Sequence, residues 1–250
     1  MSAISRRSAI KYAAGLAAAP GVSLPYAAAP NQELPRILVA GGHPDDPESG
    51  CGGTMIKYAA LGCSVTALYL TRGEAGIEGA GLDEAARIRT DEVMRACRIT
   101  GAKPVFFGQI DGNTEINRQA YARISEILQQ VKPDIVLTHW PIDTHRDHRV
   151  MWQLVYDAWL QTRSTRQARF MLYYFEVLTG DQSQHFRPTH YVDISDVIAR
   201  KRDACHAHQS QKPGTWYPHH LKMSEFRGIE SQVAHAEAFF QQDITGDIAF

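Results

Sequence analysis

Short, continuous apolar runs that break off at glycine or at charged residues set the limits on what this chain of 250 residues can form. The clearest is Arg36-Ile-Leu-Val-Ala40, whose unbroken apolar character predicts a strand buried on both faces, as in a parallel sheet. Gly41 and Gly42 then let the backbone turn sharply where the strand stops. Thr54 to Leu61 has helical spacing and halts at Gly62, and Ser64 to Leu70 reads as the next strand, which completes a strand-helix-strand unit. The theme repeats with an amphipathic helix from Leu82 to Gly101, a strand Pro104 to Phe107, a helix Arg118 to Val131 and a strand Asp134 to Thr138. Two further strand-like runs, Met171 to Val177 and His190 to Ile194, precede a helix from Val197 to His208. This alternation predicts a single α/β domain with an open, mostly parallel sheet and helices on both faces.

Directly after the first strand stand His43-Pro44-Asp45-Asp46. His43 and Asp46 are three residues apart, so one turn can aim both at one ion, while Asp45 remains as a carboxylate free to handle protons. A second group, Asp143-Thr-His145-Arg-Asp147-His148, follows the strand that ends at Thr138. In open α/β sheets ligands gather outside the carboxyl ends of strands, so the two groups can share one site. A catalytic zinc commonly has three protein ligands of His and carboxylate type; His43 and Asp46 supply two, and His148 or His145 supplies the third. The plainer reading of His-x-x-Asp is a turn with a helix cap.

Taken together, His43-Pro-Asp-Asp46, a Gly50-Cys-Gly-Gly53 turn and the later His145-x-Asp-His148 resemble the PIG-L or LmbE-like family of zinc-dependent deacetylases of N-acetylglucosamine derivatives, which has a Rossmann-like fold. The resemblance implies that His43, Asp46 and His148 are zinc ligands, Asp45 the general base and His145 the group that stabilises the transition state, with Asp147 orienting His145. It implies too that Arg72, in Thr71-Arg-Gly-Glu74, hydrogen-bonds an acceptor oxygen of the substrate, and that Asp111, in the Asp111-Gly112 turn, accepts a sugar hydroxyl. Arg89 and Glu92, three apart on a helix, are expected to form an ion pair. The pattern departs at Pro47, where the family has an acidic residue; Glu48 comes one position later, which puts support of the metal by that residue in question. His208-Gln-Ser210-Gln211 and Glu237-Ala-Phe239 extend the likeness from about residue 36 to residue 240. The expected activity is removal of an acetyl group from a small N-acetylated sugar or glycoconjugate. The alternatives are a metal-dependent amidase acting on another conjugate and a metal-dependent carbohydrate-binding protein without turnover. Two His and one carboxylate suit Zn2+ and are also compatible with Fe2+.

Residues 1–29 carry a basic head with Arg6, Arg7 and Lys11, an alanine-rich core and a small-residue end, Ala27 to Ala29. These are the parts of an export signal of twin-arginine type, leaving residues 30–250 as the catalytic domain and the periplasm as the expected location. The apolar stretch is too short for a permanent membrane span, which takes about 20 residues. Losing those three cations takes the formal charge from −1 to −4, so no basic excess remains to meet nucleic-acid phosphates. Cys51, Cys63, Cys97 and Cys205 form no CxxC pair and read as buried or turn residues rather than a disulfide framework. His139 is expected to be a packed, hydrogen-bonded histidine, and Trp140 either a wall for a sugar or a core residue. The stretch holding Trp216, Tyr217, His219 and His220 is expected to be a loop that governs substrate choice.

Overall fold

The computed structural model describes residues 33–164 and 169–242, so the expected export segment, residues 1–29, lies outside the described residues. In chain order the elements are β1 (Arg36–Gly41), α1 (Asp46–Ala60), β2 (Ser64–Tyr69), α2 (Leu82–Thr100), β3 (Lys103–Phe106), α3 (Arg118–Val131), β4 (Ile135–His139), α4 (Arg146–Ser164), β5 (Met171–Phe175), β6 (His190–Asp193), α5 (Ile198–His206), α6 (Pro213–Ser231) and β7 (Ala236–Gln241). Together they make one α/β domain around a seven-stranded sheet of order β3-β2-β1-β4-β5-β7-β6. Strands β3, β2, β1, β4 and β5 run parallel to one another, and β7 pairs antiparallel with both β5 and β6. No described helix is long and apolar enough to cross a membrane.

Period-two alternation explains why β1 is apolar from Ile37 onward. Ile37 and Val39 join one core with Met55 of α1 and Val93 of α2, whereas Leu38 and Ala40 join a second core with Ile124 of α3 and Met151 and Leu154 of α4. With both faces covered, every position of the strand after Arg36 is apolar. The chain order reverses between β1 and β4, which lie side by side with Ala40 opposite Thr138. That reversal is the topological switch point where such sheets bind ligands, and both polar groups of the sequence follow these two strands.

Two expected elements differ. The Gly50-Cys-Gly-Gly53 segment is not a turn but lies inside α1, which starts at Asp46. A Cβ on Gly50 would strike the Phe175 ring and one on Gly53 would strike Ile194, so the glycines serve close approach of α1 to its neighbours. In mid-helix the backbone N–H groups of Gly53 and Thr54 donate to the Glu237 carboxylate at 2.8 and 2.7 Å, and Lys201 Nζ lies 2.7 Å from the same group. The second difference is the expected loop around Trp216, which is helical and belongs to α6. Pro213, Gly214 and Pro218 give this helix the composition of a loop, although a proline is well tolerated where Pro213 stands, at the first helical position.

Candidate metal centre

The floor of the site is built where β1 hands over to α1. Gly42 follows β1 and donates its N–H to Nε2 of His139 at 2.9 Å. A Cβ there would meet the His148 ring at 2.9 Å, so only glycine lets the chain pass this close. Asp45 caps α1 with φ of 110°, a conformation costly for any residue with a side chain, and Asp46 begins the helix. Opposite, β4 ends at His139, the chain turns through Asp143 and His145, and α4 presents Asp147 and His148 in its first turn.

Asp46 Oδ2 is the point on which these groups converge. It lies 3.3 Å from His43 Nδ1, 3.2 Å from His148 Nε2 and 3.3 Å from His139 Nε2. Ligand atoms 2.0–2.2 Å from a tetrahedral zinc stand about 3.3–3.6 Å apart, so the pairs His43–Asp46 and Asp46–His148 are each spaced as two ligands of one such ion. Among the described residues, the triads whose ligand atoms all lie within 4.8 Å of one another are His43 with His145 and His148, Asp46 with His139 and His148, and His43 with Asp111 and Asp147. The first of these puts His43 and His148 within reach of one cation. His139 is packed and hydrogen-bonded, as expected. Its Nε2 lone pair takes the Gly42 N–H, and burial together with the neighbouring His148 lowers its pKa to about 4.

The far nitrogen of each candidate ligand faces carboxylate. His43 Nε2 lies 3.2 Å from Asp147 Oδ2 and 3.4 Å from Asp111 Oδ1, and His148 Nδ1 lies 3.2 Å from Asp143 Oδ1. A proton held on that side leaves the near nitrogen's lone pair turned toward Asp46, the arrangement that fixes the tautomer of metal-binding histidines. The donor set therefore fits a divalent cation. Asp45 stands beside it with a different fate: burial raises its pKa to about 6 despite the opposing charge of Arg89, whose guanidinium donates to its Oδ2 at 3.1 Å.

Residues 38–159 match the family model described as PIG-L, GlcNAc-PI de-N-acetylase. The chain carries a PIG-L family domain. Diacetylchitobiose deacetylase of Thermococcus kodakarensis is 29% identical over 230 residues, covering 83% of each protein. The solved structure of the N,N′-diacetylchitobiose deacetylase of Pyrococcus horikoshii with its inhibitor MPG matches with a TM-score of 0.73 and 25% identity, over 83% of each chain. A relative with a different printed activity, 4-oxalmesaconate hydratase of Pseudomonas putida, is 24% identical over 81% of this chain and 84% of its own.

Several expected contacts of the PIG-L domain are drawn differently in space. Arg72 directs its Nε at Glu74 Oε1, 3.3 Å away, with its side chain 43% exposed, and it does not line the pocket. The guanidinium in the pocket is Arg89, which bonds the Pro44 carbonyl and Asp45 rather than Glu92. It has room because Gly73 and Gly76 lack side chains where it passes. Glu92 instead accepts the Ser210 N–H at 2.7 Å and its hydroxyl at 2.6 Å, which gives the Ser210 motif a structural role. The Asp147 carboxylate turns to His43, Thr114 and Gly112, not to His145; only its backbone N–H reaches His145 Nδ1, at 3.3 Å. Asp111 lines the pocket yet is also engaged with His43.

Glu48, displaced by Pro47, is fully buried; it accepts the Tyr69 hydroxyl at 2.6 Å and lies 3.4 Å from His208 Nε2. Support behind the imidazoles comes from Asp111, Asp143 and Asp147 instead. Asp143 opens the second polar group but the sequence gives it no role beyond standing two residues before a metal-competent His, and Thr114 carries no signal there. Trp140 fills core space, with its ring near Tyr174, Phe186 and Phe240. All four cysteines are buried and free. Beyond the centre the cavity, about 380 Å³, is lined by Val177, Leu178, Gln211, Trp216 and His220.

Proposed function

We propose that this chain is a metal-dependent hydrolase that removes the acetyl group from an N-acetylglucosamine-type sugar or conjugate, with zinc or ferrous iron held by His43, Asp46 and His148. The observation that carries the reading is the division of labour between two adjacent carboxyls. Asp46 is turned into the cluster of imidazoles, while Asp45 is kept out of it by a left-handed backbone and Arg89, with a pKa raised to about 6. The relatives named for diacetylchitobiose deacetylation support the substrate class.

A cation bound here supplies Lewis-acid chemistry, polarising the amide carbonyl and making water more acidic. Asp45, with a pKa of about 6, is mostly ionised at neutral pH yet close enough to it to be reprotonated, so it takes the proton of the attacking water and returns it to the leaving amine. His145 Nδ1 accepts the Asp147 N–H, so the neutral ring carries its proton on Nε2 and can donate to the oxyanion as it forms. Burial and the nearby His43 lower the pKa of His145, which favours that neutral form.

The test is acetate release from a panel of N-acetylhexosamines with and without chelator. Asp45→Ala is expected to retain metal and lose at least about a hundredfold in kcat, the scale of a positioned acid-base group; His43→Ala is expected to lose metal and turnover together. Equal metal loss in the two variants would count against these roles. The hydratase relative favours a second reading, addition of water to a carbon-carbon double bond. Release of neither acetate nor amine, with hydration of an unsaturated acid, would establish it. Export belongs to the same proposal, with the boundary near residue 30, and rests on the paired arginines and alanine-rich core. Processing that stops in an Arg6→Lys, Arg7→Lys double variant would support it; a wild-type chain that stays whole in the cytoplasm would end it.

A further inference from the structure

Helix α6 brings Trp216 and His220, four residues apart and so on one face, to the wall of the cavity that holds the candidate metal centre. The Trp216 indole is fixed. Its Nε1 donates to the Gln211 carbonyl at 3.0 Å, and the Gln211 side chain is itself anchored on the Gly76 carbonyl at 2.9 Å. With its one polar atom occupied, the ring offers the cavity only apolar surface. Its centroid is 5.6 Å from that of His220, edge to face.

His220 is the unusual member. Only 4% of it is exposed, yet neither ring nitrogen has a hydrogen bond or ion pair among the described residues. Burial and the charge of Lys201 lower its pKa to about 3, so near neutral pH the ring offers one donor and one acceptor. Its nitrogens are not among the described buried polar atoms that are shut off without a partner, so they open on the cavity that the ring lines, where a ligand can hydrogen-bond them. Its neighbour His219 is exposed and does not line the cavity.

We propose that Trp216 and His220 form the subsite for the sugar ring: the indole lies against the C–H face of a pyranose and the His220 imidazole hydrogen-bonds one of its hydroxyls. An apolar plate beside a neutral donor-acceptor matches a pyranose, which has apolar C–H faces and a polar hydroxyl rim, better than it matches a charged or purely aliphatic group. The assignment rests on the deacetylase reading for the identity of the substrate, but its test does not need turnover.

Two measurements on the full-length, metal-loaded protein decide it. The first is the preference for N-acetylglucosamine over the acyclic amide N-acetylethanolamine, as a ratio of kcat/KM. That ratio is expected to fall about tenfold in Trp216→Ala and in His220→Ala, and to recover in part in Trp216→Phe and His220→Asn. The second is calorimetric titration with glucosamine, which carries no acetyl group; its Kd is expected to rise about tenfold in the same two alanine variants. Circular dichroism melting and metal content confirm which variants are folded, and His220→Asn carries the test if His220→Ala is not. Equal losses on the cyclic and acyclic amides, or an unchanged glucosamine Kd in folded variants, would overturn the subsite, as would a wild-type protein that binds neither sugar. Wild-type protein that binds glucosamine through these residues but releases no acetate would refute the deacetylase reading and leave the subsite standing.

Discussion

His43 shows how much of this centre is decided one side chain at a time. Its Nδ1 faces Asp46 while two carboxylates share its Nε2, and the two are not equivalent. Asp147 is fully buried and locked by the Thr114 hydroxyl at 2.6 Å and the Gly112 N–H at 2.9 Å, whereas the Asp111 side chain is 11% exposed to the cavity it lines. A rigid carboxylate behind a ligating imidazole raises its basicity and holds its angle, and losing one weakens metal binding about 10–100-fold. Asp147→Asn is therefore expected to raise the zinc Kd by that factor in competition with a chromogenic chelator, and Asp111→Asn by clearly less. Similar shifts in the two would mean that rigidity is not what matters. The meeting of His43, Asp46 and His148 was legible in the sequence because metal chemistry admits few residue types and strand ends bring them together. The groups behind them were not. Asp147 adjoins His148 in the chain, but successive helix residues point about 100° apart, so its carboxylate serves a ring from another segment. The choice of Arg89 over Arg72 depends likewise on how α2 passes over the start of α1, which no local spacing encodes.

At the scale of elements, α1 is the instructive case. Four residues rich in glycine read as a turn from propensity alone, since glycine weakens a helix interior by up to about 1 kcal/mol. Packing decides otherwise: α1 lies so close to Phe175 and Ile194 that larger residues are excluded, and Glu237 receives the N–H groups of Gly53 and Thr54. Gly53→Ala is expected to destabilise the fold by about 1–3 kcal/mol through overpacking. Gly214→Ala is the control, because it too is helical but a Cβ there would meet nothing within 4 Å; it is expected to be neutral or to stabilise by up to about 1 kcal/mol. Urea unfolding of both variants reads the difference, and a Gly53→Ala protein as stable as the parent would show that α1 has slack. The parallel strands and α2 and α3 were legible because their periodicity reports local burial directly. By contrast, α6 was hidden by its prolines, and β7 owes its existence to partners on either side, β5 and β6, that only the folded sheet supplies.

For the molecule as a whole, the centre lies outside both hydrophobic cores and joins two halves of the chain across the switch point. His43 and Asp46 come from the β1–α1 junction and His148 from α4, about a hundred residues later, while the cores beneath are filled by residues that include none of the three. The sheet should consequently stand without a cation, and a cation should add to its stability by preferring the folded state. An ion present at about 1,000 times its Kd contributes about 4 kcal/mol, which for a domain of this size raises Tm by about 8–16 °C. Thermal scans of chelator-treated protein are expected to show a single cooperative transition that rises by this amount on adding zinc. The rise should shrink in Asp147→Asn in step with its weaker binding and vanish in His148→Ala, whose own metal-free transition lies near that of the stripped parent. If stripping the metal abolishes the transition altogether, the ion is holding up the fold, and the division between a self-sufficient sheet and a site mounted on its rim is wrong. If zinc raises Tm equally in His148→Ala, the ion binds somewhere other than between the two strand ends.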